Sequence, residues 1–292
     1  MNNVTVIGGV AFEICGIPKD VCRLRNSNPG KVRITVSGIA HNIAKFLRTY
    51  GTDVQLVTAI GSDLRGELIE RECRSLGIGL DYIQRQDAES AAYIRVYDDD
   101  FNLLTGINEM EIIDRIPVRH LKTVLPAINQ SDFCVIDSNI SVESLGFLTE
   151  NVTVPLFYEP VSVAKAKRIG MHLNKCYSVK ANRFEAGQLS GCSCDTIRGA
   201  YRAAEWFLTQ GIKKVFITLG SEGILYASEE DFGHVDGIKV DCEVSSAGAG
   251  DCVSAAIVHS LLSGATIREA AEAGNEAGAE FCRTDHFGEN FF

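Results

Sequence analysis

Short apolar runs alternate along this chain with stretches whose apolar positions return every three or four residues. NVTVIGGV (3–10), DVQLVTAIG (53–61), SDFCVIDSN (131–139), TVPLFYEP (153–160) and KKVFITLG (213–220) are continuous apolar segments, the form of strands buried on both faces. Between them, GIAHNIAKFLRTYG (38–51) sets Ile39, Ile43, Phe46 and Leu47 on one helical face and stops at Gly51. DLRGELIERECRSLG (63–77) stops likewise at Gly77, and TIRGAYRAAEWFLTQG (196–211) stops at Gly211 behind a Thr196 cap. Strands alternating with helices predict right-handed βαβ units, and so an α/β fold with a mainly parallel sheet covered on both faces.

Two regions break the rhythm. Residues 14–38 are long, polar and turn-rich before a β-branched run, and 90–108 read as two strands joined by an acidic turn at Asp98–Asp100. Neither suits the centre of a parallel sheet. They are expected to pair as a small separate sheet acting as a lid; the alternative is two ordinary surface hairpins. The 292 residues are expected to form one domain carrying that appendage.

Composition narrows the field. A net charge of −10 and a pI near 5.1 argue against a nucleic-acid partner, although a basic pocket can still be assembled by folding. No apolar stretch is long enough to span a bilayer, and the amino terminus lacks the basic region of a secretory signal. The ten cysteines are scattered, with a lone C-x-C at Cys192 and Cys194, and read as reduced thiols of a cytoplasmic protein. His41 is expected on a helix surface, and the other five histidines show no ligand spacing.

The candidate chemistry lies in SSAGAGDCVSAAIVHSLL (245–262). Small residues at 247–250 let backbone N–H groups crowd a ligand, and a helix begins at once, with its unpaired donors and positive dipole end. Asp251 then reads either as an acid stabilised by the first turn or as a general base beside a bound phosphoryl group.

SSAGAGD resembles the D-T-x-G-A-G-D signature of the ribokinase-like (PfkB) sugar and nucleoside kinases, and the likeness runs over nearly the whole chain. SGIAHNIAKFLRTYG resembles the family's G-G-x-x-x-N-x-A motif, KANRFEAGQLSG (180–191) its N-x-x-E segment, and TLGSEG (218–223) its T-L-G-x-x-G. Within the family, NPGKVRITVSG, GINEMEIIDRI (106–116) and YEPVSVAKAKRI (158–169) are similar to segments of pseudouridine kinases.

The resemblance implies a three-layer sandwich and ATP- and Mg2+-dependent phosphorylation of a sugar or nucleoside hydroxyl, pseudouridine first. It implies Asp251 as base, with backbone amides of Ala247, Gly248, Ala249 and Gly250 as anion hole. Glu13, Gly38 and Asn42 would bind the acceptor. Thr218, Gly220, Gly223 and Asn275 would border ATP, while Asn182 and Glu185 would organise magnesium through water. It leaves room for a monovalent cation and for a homodimer through the lid.

Several positions depart from the family pattern. Ala11 and Glu13 stand where the family has N-x-D, Ser37 replaces a glycine, Ala181 replaces a common proline, and Ser245 and Ser246 precede the anion hole. They motivate two alternatives: a kinase for ribose, adenosine or a fructose derivative, and a catalytically silent ligand binder. A dinucleotide-binding dehydrogenase fits poorly, because VIGGVAFEICG lacks G-x-G-x-x-G.

Overall fold

The computed structural model describes residues 2–99, 102–240 and 247–284. Asp100, Ser245, Ser246, Cys242 and His286, on which expectations were placed above, lie outside the described residues. In chain order the first strands are β1 (Asn3–Ile7), β2 (Ala11–Pro18), β3 (Gly30–Ser37), β4 (Asp53–Val57), β5 (Ala59–Gly61), β6 (Gln84–Gln86) and β7 (Ala92–Tyr97). They are followed by β8 (Leu103–Glu109), β9 (Phe133–Asp137), β10 (Leu156–Glu159), β11 (Ser178–Asn182), β12 (Lys214–Thr218), β13 (Gly223–Ala227) and β14 (Phe232–Asp236).

Eight of these form the main sheet, in the order β14-β13-β12-β11-β10-β9-β1-β4. The six strands from β4 to β12 are parallel, and β13 and β14 close one edge as an antiparallel hairpin. β9, β10 and β13 are buried at every position, which is why they read as unbroken apolar runs. The chain crosses from one side of β1 to the other between β4 and β9, so strand order reverses at β1. In open parallel sheets that reversal opens a crevice beyond the carboxyl ends of the strands.

The periodic segments are helices at Ile39–Thr49, Leu64–Ser75 and Ile197–Thr209, each within a residue or two of its expected bounds. Thr196 caps the last by accepting from the Gly199 N–H. Two expectations need correction. The run 53–61 is two strands: Thr58 turns its hydroxyl to the Gly8 carbonyl, and β5 leaves the main sheet to pair with β6. His41 is buried, not on a surface; its helix packs that face against the Gly9 loop, and its backbone N–H donates to the Gly9 carbonyl. Burial depresses the imidazole to about 4, so it is neutral.

The segments that broke the rhythm pair as a second sheet in the order β3-β2-β7-β8. Period-two alternation divides its side chains. Glu13, Cys15, Arg33, Thr35, Tyr93, Arg95 and Asn108 face a cavity, while Ile34, Ile14, Ile94 and Ile107 stand in register across the four strands on the opposite face.

Candidate active site

The crevice and the inner face of the small sheet enclose one cavity of about 610 Å3. Its floor is the amino end of the helix Ala249–Leu262. Gly248 caps that helix at φ +102°, a conformation suited to glycine, and a Cβ there would meet the Phe281 ring at 3.0 Å. Ala247, Gly248 and Asp251 bring the start of that helix to the cavity, and a helix start with unpaired amides is the geometry suited to an anion.

Asp251 is in that first turn, buried, and accepts a 2.8 Å hydrogen bond from Asn42 Nδ2 onto Oδ2. Burial raises its carboxyl from 3.8 to about 6, against the Asn42 bond and the Lys180 charge, which favour ionisation. The acid and the amide, 209 residues apart, come together because the helices Ile39–Thr49 and Ala249–Leu262 pack side by side. Gly38 makes that possible: at φ +110°, any Cβ would sit 2.5 Å from the Gly9 carbonyl oxygen. The close approach it allows is to backbone as well as to the cavity it lines.

Asn182 ends β11 beside Thr218 at the end of β12, in register. Its side chain accepts from the Phe184 and Glu185 amides, while Glu185 Oε2 accepts from the Asn182 N–H at 2.9 Å, a complete capping box. Glu185 is buried. The structure thus brings the N-x-x-E pair and the T-L-G-x-x-G turn side by side at the carboxyl ends of β11 and β12, outside the lining of the 610 Å3 cavity. Gly220 and Gly223 hold φ +65° and +101°, and a Cβ on Gly223 would strike the Val235 carbonyl. Asn275 is half-buried and donates to the Asp236 carbonyl at 2.9 Å, tying its helix to the end of β14. Among the described residues no three His, Cys, Asp or Glu side chains gather as a direct metal cage.

Sequence reasoning passed over a buried ionic cluster behind the anion site. Lys180 Nζ lies 2.7 Å from Glu159 Oε1, and Glu159 Oε2 accepts from Ser254 Oγ at 2.7 Å. Burial works to lower the Lys180 ammonium, but Glu159, Glu185 and Asp251 together raise it, so it stays charged. It also sits 3.4 Å from where a Gly250 side chain would begin. The signal was present: a lysine inside the strand SVKAN cannot be buried without an acidic partner. Asp137, at the end of β9, accepts from the Gly9 and Asn139 amides, and Lys165 Nζ donates to Asn139 Oδ1 at 2.7 Å.

Glu13 lines the cavity, and its carboxylate is also engaged by neighbouring side chains. Its Oε2 accepts from Ser37 Oγ at 2.5 Å and faces Arg95 at 3.3 Å, while Oε1 accepts from the Cys15 thiol. Two departures from the family pattern, Glu13 and Ser37, are thus one contact.

A mainly parallel α/β sheet, with a helix start and a buried acid on the floor of a cavity that a second sheet roofs, is the arrangement of a sugar or nucleoside phosphotransferase. The chain belongs to the pfkB family of carbohydrate kinases, whose family match covers residues 1–287. It is 29% identical to the pseudouridine kinase of Escherichia coli K12 over 91% of this chain and 86% of that one. A carbohydrate kinase from Agrobacterium tumefaciens superposes with a TM-score of 0.84 over 98% of this chain and 92% of its own, at 23% identity. Arabidopsis thaliana ribokinase complexed with ribose and ATP does so with a TM-score of 0.81 over 97% and 94%, at 16% identity. The protein is a kinase that phosphorylates a sugar or nucleoside. No helix among the described residues is long and apolar enough to cross a membrane.

Proposed function

We propose that the protein transfers the terminal phosphoryl group of ATP to the 5′-hydroxyl of pseudouridine, with Asp251 as general base. The observation that carries the reading is the buried Asp251 carboxylate in the first turn of a helix that starts at the cavity, with Asn42 bonded to its Oδ2. Asn42 fixes the carboxylate, which takes the hydroxyl proton as that oxygen attacks. The amides of Gly248, Ala249 and Gly250 would stabilise charge on the transferring group, reinforced from behind by Lys180. Thr218, Gly220, Gly223 and Asn275 would border ATP.

Asn182 and Glu185 fit a magnesium ion held through water: Glu185 is buried, carries one oxygen committed to its helix cap, and lies in the first turn of the helix that follows β11. The metal would supply charge neutralisation between donor phosphates. The likeness to the E. coli pseudouridine kinase supports the acceptor, and the Glu13–Ser37 departure supports the alternative of another pentose or nucleoside.

The test is ADP release by the purified protein with ATP and magnesium across pseudouridine, uridine, adenosine, ribose and fructose. Turnover only with pseudouridine is the expected result. Turnover with another acceptor alone moves the substrate, and silence with all of them overturns the reaction.

The small sheet would close over the acceptor as a lid and exclude water. Hydrogen-exchange protection of 11–18 and 92–97 on adding acceptor is expected; unchanged exchange there refutes closure. Its outer isoleucine row, with Ile107 68% exposed, favours pairing of two copies through this face. Light scattering should then give a dimer that Ile107→Lys splits. The family membership favours a cytoplasmic location.

A further inference from the structure

The inner face of the small sheet carries a feature that phosphoryl transfer does not use. Cys15 on β2 is paired in register with Arg33 on β3 and with Arg95 on β7, so two guanidinium groups flank one small side chain across three adjacent strands. Neighbouring strands lie roughly 4.8 Å apart, which puts the two arginine backbones about 10 Å apart with only a thiol between them. The next position in that row, opposite Arg95, is Gly106, which adds no bulk. Both arginines line the cavity that contains Asp251.

Their hydrogen bonding is incomplete. Arg33 Nη1 and Arg95 Nε are buried and have no hydrogen-bond partner, and Arg33 has no carboxylate partner among the described residues. Arg95 is held in place: Nη2 faces Glu13, Nη1 donates to the Tyr97 hydroxyl, and its guanidinium lies 4.5 Å over the Tyr93 ring. A buried guanidinium nitrogen without an acceptor is costly, and a site retains one where a ligand supplies the missing oxygen. The Cys15 thiol between them does not compensate; burial first, then Glu13, pushes it up to about 12, and it stays neutral. The cavity wall is therefore rich in donors in a protein whose net charge is −10.

We propose that Arg33 and Arg95 form a donor cleft that reads oxygen atoms on the acceptor beyond its sugar hydroxyls, either ring carbonyls of an oxo-pyrimidine or a sugar-acid carboxylate, and that they set specificity against bare pentoses. Guanidinium donors match planar oxygen pairs, and a polar site built for such a group discriminates strongly against analogues lacking it. The inference rests on the phosphotransferase reading of the same cavity. It names the part of the acceptor that the Asp251 end does not touch.

The experiment is calorimetric titration of the full chain, with a non-hydrolysable ATP analogue present, using pseudouridine, uridine, gluconate and ribose. Because it reads binding, failure of the kinase reading shows up separately, as absent ADP release by the wild type. The expected result is that pseudouridine and uridine, or gluconate, bind more tightly than ribose. Arg33→Met should then raise the Kd of the oxygen-bearing ligand by about tenfold or more relative to that of ribose. Arg95→Lys, which keeps a charge facing Glu13 but removes Nε and the fork, should act in the same direction. Arg33→Lys should recover part of the loss, which distinguishes recognition from damage to the sheet. Preference for nucleosides identifies the oxygens as ring carbonyls, and preference for gluconate as a carboxylate. The proposal is overturned if ribose and the oxygen-bearing ligands weaken equally, if Arg33→Met leaves all of them unchanged, or if the wild type binds ribose alone.

Discussion

The two walls of the candidate site are built on different principles. The phosphoryl wall is made of local motifs at the ends of strands and the start of a helix: Gly248 to Asp251, Asn182 to Glu185, Thr218 to Gly223. Each motif is fixed by neighbours a few residues away, through a cap, a positive φ or a capping box. The acceptor wall is a sheet face, in which Glu13 meets Ser37 and Cys15 stands between Arg33 and Arg95 only through strand pairing. Backbone geometry sets the frame of the first wall, and Asn42 and Lys180 reach it from other segments. The second can be rewritten one side chain at a time, and it carries the departures at Glu13 and Ser37.

The largest effect that would sharpen this contrast comes from Asp251→Asn. Removing the base should lower kcat by roughly a thousandfold or more, toward the upper range for general-base loss. Folding should not suffer. A carboxyl raised from 3.8 to about 6 binds protons more tightly in the folded state, so its contribution to stability is present below pH 4 and is lost as pH rises through 6. At neutral pH the asparagine variant should be more stable, by up to roughly 3 kcal/mol. Urea unfolding of the two proteins at pH 7.5 checks this, and a less stable variant would show that Asp251 is a structural acid.

Next in size is Lys180→Met. It leaves Glu159 buried without its cation, which should cost about 3–5 kcal/mol and lower the thermal midpoint by roughly ten degrees. Adding Glu159→Gln should restore much of the loss. If the single variant unfolds like the wild type, the cluster behind the anion site is not the support described here.

A third effect is smaller at any one pH. With Asp251 required in its ionised form, kcat/KM should fall tenfold for each pH unit below about 6, and flatten above. A profile flat down to pH 5 would remove Asp251 from proton transfer.

Much of this molecule was legible before folding. The buried strands and capped helices follow from periodicity, and the anion-site residues from short motifs whose geometry is local. The break at Thr58 was not legible, because a hydroxyl that turns to the Gly8 carbonyl looks, in sequence, like any β-branched strand residue. His41 was misplaced because helical periodicity says which residues share a face but not that the Gly9 loop covers this one. The ionic cluster of Glu159, Lys180 and Ser254 joins three separate segments, and nothing in any one of them names the others. The arginine pair depends on register, which a shift of one residue would have turned to the opposite face.

The finest test lies in Glu13. In sequence, Glu13 and Ser37 read as two separate departures from the family pattern. In the folded protein one hydroxyl donates to the other's carboxylate, and Arg95 closes the group. If Glu13 organises the wall in this way, Glu13→Gln should cost only about 1 kcal/mol of stability and raise the acceptor KM a few-fold, with kcat little changed. Glu13→Gln and Ser37→Ala should also be non-additive in unfolding free energy, with a coupling of about 0.5–1.5 kcal/mol. A direct sugar contact makes a different pattern: a large loss of acceptor affinity from Glu13→Gln, no coupling to Ser37 in unfolding, and unchanged stability. The double-mutant cycle in urea, read beside acceptor KM, therefore decides whether this position replaces the family's sugar-binding acid or supports the side chains that have taken over its work.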